Sequence, residues 1–211
     1  IFHIRMINQL SALKIIPVVA LDSADDAEPL ADALVAGGLP VAEITLRTDA
    51  ALEAIRKLRD RDDLLVGSGT VHSAAQAEAS VEAGAKFVVT PGFNPKTVAW
   101  CVENNVPIFP GISSPTDLES ALEHGLEVVK FFPAETLGGV KTLKAFSGPY
   151  GGMKFIPTGG IGVGNLADYL SLACVVACGG SWMVKPSLFA DGNFGEVEKL
   201  TREAVNLANA I

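Results

Sequence analysis

Cysteine, aromatic residues and positive charge are all scarce in this sequence. Among its 211 residues are three cysteines, and 16 lysines and arginines stand against 24 acidic residues, so the formal net charge is −8. An odd number of cysteines without a CxxC spacing argues against a disulfide framework. No basic patch or arginine-rich tract is present, which argues against nucleic acid as a partner. An anionic small molecule can still bind through local positive charge or backbone N–H groups.

Long apolar runs and metal-ligand spacings are also missing. No apolar run approaches the roughly 18 residues that a transmembrane helix requires, and the N-terminal residues lack the charged, apolar and small-residue order of a signal peptide. We therefore expect a soluble, cytoplasmic protein without a membrane partner. His3, His72 and His124 form no HxH or HxxxH pair, so no metal site is predicted. Cys174 and Cys178 lie in an apolar stretch and are interpreted as small buried hydrophobic residues.

Short apolar runs of strand length alternate with amphipathic segments throughout the chain. The predicted strands are Ile15–Leu21, Val41–Arg47, Leu64–Thr70, Phe87–Gly92, Ile108–Ser113, Val128–Ala134, Lys154–Gly160 and Val175–Trp182. The predicted helices are Phe2–Leu10, Asp25–Ala36, Asp49–Asp60, Ser73–Ala83, Pro95–Asn104, Pro115–Glu123, Gly139–Phe146, Asn165–Ser171 and Phe194–Ala210. Successive strand–helix units favour a parallel sheet.

The number of these units indicates whether the sheet is closed into a barrel or open. Eight strand–helix units fit a closed (β/α)₈ TIM barrel, here with an extra N-terminal helix. No linker or change of composition divides the chain, so we predict one domain over residues 1–211. A doubly wound open sheet is the alternative. Such folds usually have fewer strands, and no GxGxxG loop follows the first predicted strand here.

Lys130 is the most unusual residue of the predicted strands, because it lies in the apolar run Val128-Val129-Lys130-Phe131-Phe132. Burial disfavours the ammonium form of a lysine, and a neutral amine attacks carbonyl carbons to form a Schiff base. The alternative is that Lys130 lies near a strand end and extends its amine to water. Active sites of barrels form at the carboxyl ends of the strands, which favours the catalytic interpretation.

The second predicted strand adds two charged residues. Alternation places Val41, Glu43, Thr45 and Arg47 on one face, and we expect Glu43 and Arg47 to point into the barrel beside Lys130. Isolated charges in an apolar interior are costly, so they should pair with one another or with a polar ligand. In the functional interpretation, Lys130 is a nucleophile, Glu43 transfers protons and Arg47 binds a carboxylate. An internal salt-bridge network without chemistry is the alternative.

Glycine residues end the last two predicted strands. The seventh strand ends in Gly159-Gly160 and the eighth in Gly179-Gly180-Ser181. This corner of a barrel commonly holds a phosphate through backbone N–H groups, and glycine permits a close approach of the backbone. We therefore predict a phosphate site to which the Ser181 hydroxyl adds a donor. The alternative is that these glycines serve only tight turns.

Seven short motifs, taken in order, give the sequence a specific family resemblance. They are Glu43-Ile44-Thr45-Leu46-Arg47-Thr48, Gly67-Ser68-Gly69-Thr70-Val71, Thr90-Pro91-Gly92, Phe109-Pro110-Gly111-Ile112-Ser113, Lys130-Phe131-Phe132-Pro133-Ala134-Glu135, Pro157-Thr158-Gly159-Gly160-Ile161 and Gly179-Gly180-Ser181-Trp182. Over nearly its whole length the chain resembles the bacterial 2-keto-3-deoxy-6-phosphogluconate (KDPG) aldolases, which also act on 4-hydroxy-2-oxoglutarate (KHG). The resemblance implies a class I aldolase on a (β/α)₈ barrel, a homotrimer that uses no metal or other cofactor.

The resemblance also implies a role for each site residue. Lys130 would form the Schiff base and Glu43 would be the catalytic acid and base. The residues that would hold the pyruvate end of the substrate are Arg47, Thr70 and Thr158. Those that would line the pocket are Pro91 and Phe132. Those that would bind the 6-phosphate are Gly159, Gly160, Gly180 and Ser181.

The implied reaction cleaves a phosphorylated 2-keto acid to pyruvate and glyceraldehyde 3-phosphate. The sequence leaves the substrate open among the gluconate-derived compound, its galactonate-derived C4 epimer and KHG. Two other functions suit a phosphate-binding barrel. One is a sugar-phosphate isomerase or epimerase that works without a Schiff base, and the other is a sugar-phosphate-binding protein without catalysis.

Overall fold

Parallel β-strands alternate with α-helices along the chain. The computed structural model describes residues 2–211, and it describes side chains from Ile4 onward, so residue 1 and the side chains of Phe2 and His3 lie outside the described part. The strands are β1 Ile15–Val19, β2 Val41–Thr45, β3 Leu65–Gly69, β4 Val88–Val89, β5 Ile108–Phe109, β6 Gly111–Ile112, β7 Val128–Phe131, β8 Lys154–Pro157 and β9 Cys178–Gly180. The α-helices are α1 Phe2–Leu13, α2 Ala27–Ala36, α3 Ala51–Leu58, α4 Ala74–Ala83, α5 Pro95–Glu103, α6 Pro115–Glu123, α7 Gly139–Ser147, α8 Leu166–Leu170 and α9 Gly195–Asn209. Two 3₁₀ turns, Ala24–Asp26 and Pro186–Leu188, complete the structure.

The strands pair in parallel in two connected sets. One set has the order β5-β4-β3-β2-β1-β9, and the other has the order β6-β7-β8. Two isolated parallel bridges, Phe155 with Val175 and Thr158 with Gly179, join β8 to the segment that contains β9. The strands therefore form a curled parallel sheet, which confirms the predicted α/β architecture.

The predicted fifth strand is divided at Pro110 into β5 and β6. Proline has no N–H group for the ladder and is therefore found at interruptions of a sheet. The Pro110 carbonyl nevertheless takes part in the sheet, where it accepts a hydrogen bond from the backbone N–H of Lys130 at 2.9 Å. The interruption thus separates the two sets of strands and contacts the strand that carries the buried lysine.

Most strands end earlier than the sequence predicts. β2 ends at Thr45 instead of Arg47, β7 at Phe131 instead of Ala134, and β8 at Pro157 instead of Gly160. After β2 the chain turns toward α3, and the Thr48 hydroxyl fixes this turn by donating to the Leu21 carbonyl. The polar and glycine residues after the strands consequently lie in loops at their carboxyl ends, where barrel-like folds place their sites.

Three consecutive helices begin at side chains that cap them. The side-chain oxygens of Ser73, Asn94 and Ser114 each accept a backbone N–H from the first turn of α4, α5 and α6. Ser114 and Asp117 form a complete capping box at the start of α6. These caps determine where the loops after β3, β4 and β6 end. No helix within residues 2–211 combines the length and apolar character that crossing a bilayer requires.

The cysteines are free thiols of the interior. Cys101 and Cys178 are buried, and Cys174 is half-buried. Burial raises the pKa of the Cys101 thiol to about 12 and also raises the pKa of Cys178. Both thiols therefore stay protonated near neutral pH and are poor nucleophiles. For Cys178 this agrees with its interpretation as a small buried hydrophobic residue.

Candidate active site

Lys130 is buried in the middle of β7. Its side chain is 5% exposed, so the amine does not extend into bulk water as the alternative interpretation required. The Lys130 Nζ atom lies 3.6 Å from Glu43 Oε1. β7 and β2 do not pair with each other, so these side chains meet across the interior of the curled sheet. The same amine lies 5.1 Å from the centroid of the Phe132 ring.

Glu43 leaves one carboxylate oxygen without a hydrogen bond. Its side chain lies on β2 and is 2% exposed, and the 3.6 Å separation from Lys130 Nζ exceeds hydrogen-bond length. Among the described residues no group donates to Glu43 Oε1. Buried polar atoms are normally paired, and exceptions often have a functional cause. This oxygen and the lysine amine can therefore act on a polar ligand that enters between them.

Gly69 makes room for the Glu43 carboxylate. It ends β3 and pairs with Thr45 of β2, two residues along from the pairing of Gly67 with Glu43. A Cβ atom at Gly69 would lie 2.1 Å from Glu43 Oε1 and 2.7 Å from Glu43 Cδ, both shorter than real contacts. The absence of a side chain at position 69 therefore determines where the carboxylate can lie.

The substitution Gly69→Ala should displace the Glu43 carboxylate. Since a shift of about 1 Å in a reacting group can cost about 100-fold in rate, we expect kcat for the aldol cleavage that the family resemblance implies to fall by about 10- to 100-fold. The matched control is Gly152→Ala, because a Cβ at Gly152 would meet nothing within 4 Å. Steady-state kinetics of both variants test this. Equal kcat in the two variants would show that Gly69 does not place the carboxylate.

Arg47 lies at the rim of the site instead of on the inner face of a strand. The predicted strand bound was wrong, because β2 ends at Thr45 and Arg47 lies beyond it with an exposed side chain. Its Nε donates to Thr70 Oγ1 at 3.2 Å. Thr70 has a φ of 56°, a left-handed conformation that is rare for a threonine. Such strained residues cluster at functional sites, and this one orients its hydroxyl toward the guanidinium.

Pro91 is held in place by the residue before it. The buried Thr90 hydroxyl donates to the Gly92 carbonyl at 2.7 Å and accepts the Gly111 N–H at 3.4 Å. A Cβ at Gly111 would lie 2.1 Å from the Pro91 carbonyl oxygen, so the two backbones approach as closely as glycine allows. The loop after β4 is thereby fixed against β6, the neighbour of the lysine strand.

The two glycine segments of the predicted phosphate corner, the Gly159–Gly160 loop and the end of β9, lie side by side. The bridge between Thr158 and Gly179 joins them, and a Cβ at Gly179 would lie 2.3 Å from Thr158 Oγ1. Gly159 and Gly160 have φ values of 103° and 78°, which only glycine adopts readily. In the second segment, Gly180 ends β9 and is buried, and Ser181 directly after it is exposed.

Comparison with known proteins identifies the family. The model of the KDPG and KHG aldolase family matches residues 6–200. The chain belongs to this family. This confirms the resemblance that the motifs predicted, and it makes the protein an aldolase, which is a lyase.

Relatives of this aldolase match it over almost their whole length. A 2-dehydro-3-deoxy-phosphogluconate aldolase of Haemophilus influenzae is 52% identical over 204 residues, which cover 96% of each chain. The KDPG aldolase of Zymomonas mobilis, solved with 3-phosphoglycerate, has a TM-score of 0.89 at 36% identity and 96% coverage of both chains. The KDPG aldolase of Legionella pneumophila, solved with pyruvate as a covalent carbinolamine intermediate, has a TM-score of 0.90 at 38% identity, covering 93% of this chain and 97% of that one.

Sequence reasoning missed two features of the aldolase site. The sequence shows Gly69 only as part of a family motif, whereas the structure shows that a Cβ at this position would clash with Glu43. Tyr169, on α8, donates a hydrogen bond to Glu135 in the turn after β7. The sequence gives little indication of the Tyr169–Glu135 hydrogen bond. Glu135 is the last residue of the Lys130 motif, and Tyr169 is one of only two tyrosines in the sequence. Nothing in the spacing of the two residues predicts that they meet.

Proposed function

We propose that this aldolase is a class I, Schiff-base enzyme that cleaves KDPG to pyruvate and glyceraldehyde 3-phosphate, and that it also cleaves KHG to pyruvate and glyoxylate. The observation that carries the proposal is a buried amine, Lys130 Nζ, 3.6 Å from a carboxylate oxygen of Glu43 that accepts no hydrogen bond from the described residues. A nucleophile next to a proton acceptor is the arrangement that imine chemistry needs.

The proposed reaction begins at the C2 ketone of the substrate. Lys130 attacks this carbon, and loss of water gives a protonated imine. Glu43, directly or through a water, takes the proton of the C4 hydroxyl. The C3–C4 bond then breaks, its electron pair moves toward the imine to form an enamine, and glyceraldehyde 3-phosphate leaves. Glu43 returns a proton to C3 of the enamine, and water releases pyruvate from Lys130. The enzyme thus mainly positions groups and transfers protons.

The substrate carboxylate is assigned to Arg47. Its Nε is engaged with Thr70, and the terminal nitrogens of the same guanidinium can bind a carboxylate through a two-pronged contact. We assign Thr70 and Thr158 to the pyruvate end as well, and Pro91 and Phe132 to the walls of the pocket. The place of Phe132 beside the Lys130 amine, at 5.1 Å, supports that assignment.

The 6-phosphate is assigned to Gly159, Gly160, Gly180 and Ser181. The bridge between Thr158 and Gly179 brings the two segments together, which supports this proposal. The positive φ of Gly159 and Gly160 supports it as well, because backbone N–H groups of such glycine-rich turns can bind an anion. The Zymomonas mobilis relative was solved with a phosphorylated ligand, 3-phosphoglycerate. The Legionella pneumophila relative was solved with pyruvate as a covalent carbinolamine, which is the type of intermediate proposed for Lys130.

Four further properties are proposed with this function. The neighbour relations of the strands, including the two bridges between β8 and the β9 segment, support a closed (β/α)₈ barrel. The absence of a linker in the sequence supports one domain over residues 1–211. The family resemblance supports a homotrimer. A highly charged sugar phosphate does not cross a bilayer unaided, which supports action in the cytoplasm.

Borohydride trapping tests the Schiff base directly. Incubation with pyruvate and sodium borohydride should reduce the imine to a stable amine, inactivate the enzyme and add the mass of a reduced pyruvyl group to one lysine. Peptide mass spectrometry should locate this group on Lys130. Incubation with borohydride alone is the control. Full aldolase activity with an unmodified Lys130 after trapping would overturn the Schiff-base mechanism.

A further inference from the structure

Tyr169 and Glu135 form a hydrogen-bonded pair beside the phosphate corner. Tyr169 is 0% exposed, and its hydroxyl donates to Glu135 Oε1. Burial, together with this hydrogen bond, raises the pKa of Tyr169, so its hydroxyl remains a donor over the working range of pH. Glu135 itself lies in the turn after β7, whereas Tyr169 belongs to α8, so the pair ties the lysine strand's loop to the helix after β8.

Two glycines make room for the Glu135 side chain. A Cβ at Gly139 would lie 2.7 Å from Tyr169 Oη and 2.9 Å from Glu135 Oε1. A Cβ at Gly160 would lie 2.6 Å from Glu135 Cγ. The carboxylate arm of Glu135 therefore passes between a glycine of its own loop and a glycine of the predicted phosphate loop. Any movement of this arm must displace Gly160 or break the bond to Tyr169.

The same turn also holds the backbone of the phosphate loop. The N–H groups of Ala134 and Glu135 donate to the carbonyls of Thr158 and Gly159, at 2.8 and 3.1 Å. The next carbonyl, that of Gly160, accepts from Asn165 Nδ2 at 3.0 Å. Three successive carbonyls of the loop are thus fixed by hydrogen bonds, and two of the donors belong to the segment that the Tyr169–Glu135 pair holds.

These bonds determine which way the N–H groups of the loop point. In a planar trans peptide the C=O and the N–H point in opposite directions. The carbonyl of Gly159 points toward the β7 turn, so the N–H of Gly160 points away from it. β9 and Ser181 lie on that other side of β8, as the bridge between Thr158 and Gly179 shows. The turn after β7 therefore orients a backbone donor toward the predicted phosphate corner.

We propose that Tyr169 and Glu135 are positioning residues that hold the Gly159–Gly160 loop ready to bind the substrate phosphate. In this role the pair acts through the Glu135 backbone and the close approach of Glu135 to Gly160. This inference rests on the proposed function, since it assigns the corner to the 6-phosphate. It adds a consequence that the function alone does not give: substrates without a phosphate should not depend on the pair.

The variant Tyr169→Phe removes one hydroxyl and keeps the ring. For KDPG we expect KM to rise about tenfold with little change in kcat, the scale of losing one hydrogen bond to a charged group. For KHG, which has no phosphate, we expect kcat/KM to stay within about twofold of the wild-type value. The matched control is Tyr150→Phe, because the hydroxyl of this other tyrosine donates to the exposed Glu119 at 3.1 Å. Equal losses for both substrates, or no loss for KDPG, would overturn the proposal.

Two variants of Glu135 test the pair from its other side. Glu135→Gln keeps an oxygen that accepts from Tyr169, so it should retain a KDPG KM near that of the wild type. Glu135→Ala loses the acceptor and should match Tyr169→Phe. Combining Glu135→Ala with Tyr169→Phe should cost no more than either change alone, because coupled residues are not additive. Additive losses would show that the two residues act separately and would contradict the proposal.

Amide hydrogen exchange separates this inference from the proposed function. In Tyr169→Phe, but not in Tyr150→Phe, exchange should accelerate in the segments 133–139 and 159–165 and remain unchanged elsewhere. If the wild-type protein cleaves neither substrate, the proposed function has failed, and the exchange data alone decide whether the pair holds the loop. Unchanged exchange in both segments would overturn the positioning role, whatever the kinetics show.

Discussion

Substituting methionine for Lys130 should lower aldol cleavage by about 10⁴-fold or more, the scale seen when a covalent nucleophile is removed. Methionine is close in length to the lysine stem but has no amine, so neither the carbinolamine nor the imine can form. Glu43, whose Oε1 lies 3.6 Å from the amine, cannot replace it, because a carboxylate forms neither a carbinolamine nor an imine. Steady-state cleavage of KDPG and borohydride trapping with pyruvate measure the loss, and both should fall to background.

A second variant guards against misfolding of the first. Lys130→Met leaves the buried Glu43 without its cation, and an unpaired buried charge destabilises a protein. Lys130→Arg keeps the positive charge, although its guanidinium stays protonated and cannot act as the nucleophile. Both variants should lack trapping and turnover, and circular dichroism with thermal unfolding should show that at least one is folded. Turnover within tenfold of wild type in a folded variant would contradict the mechanism.

The matched control for these variants is Lys154→Met. Lys154 begins β8, the strand next to β7, but its amine extends to the Ala173 carbonyl at 2.9 Å. It therefore lies at the amino end of its strand, opposite the end at which sites of this fold form. We expect Lys154→Met to retain both turnover and trapping. This contrast would locate the chemistry on one lysine instead of on strand lysines in general.

The presence of the strands could be predicted because each is a short apolar run. Their carboxyl ends could not be predicted in this way. β7 and β8 begin at Val128 and Lys154 as predicted, and at β7 the change from the polar Glu127 to apolar residues marks the start. A strand ends where its neighbour no longer provides backbone groups for hydrogen bonds. This is a property of the curled sheet and not of the local sequence. Pro110 illustrates this, because its missing N–H signals an interruption but not which strands lie on either side of it.

The chemistry of the candidate site could be predicted more fully than its geometry. A lysine within an apolar strand and an acid within another indicate a buried reactive pair, and the structure places Lys130 and Glu43 at 3.6 Å. Arg47 was misplaced because strand alternation was extended past Thr45, into a turn where it no longer applies. The Tyr169–Glu135 bond was missed because it joins residues 34 positions apart through loops that have no periodicity.

Glu43→Gln should lower kcat by about 10²- to 10⁴-fold, the contribution typical of general acid–base catalysis. Glutamine has nearly the same shape and can be held in the same space beside Gly69, but it cannot carry the proton from the C4 hydroxyl to the enamine carbon. Lys130 keeps its amine in this variant, so borohydride should still trap pyruvate. Binding and imine formation would then be separated from proton transfer. Glu53→Gln is the control, because Glu53 forms only an exposed ion pair with Arg56 on α3.

Exchange of the pyruvate methyl protons with D₂O tests the same substitution without the cleavage step. Enamine formation removes a proton from the carbon that Glu43 reprotonates, so the wild-type enzyme should exchange these protons, and Glu43→Gln should lose exchange in parallel with kcat. If the ion pair between Glu43 and Lys130 were purely structural, Glu43→Gln would have a lower thermal stability. The folded fraction of this variant would then largely retain both methyl-proton exchange and turnover. Exchange near the wild-type rate in Glu43→Gln would assign the proton transfer to another group, and the unpartnered Oε1 would then need a different explanation.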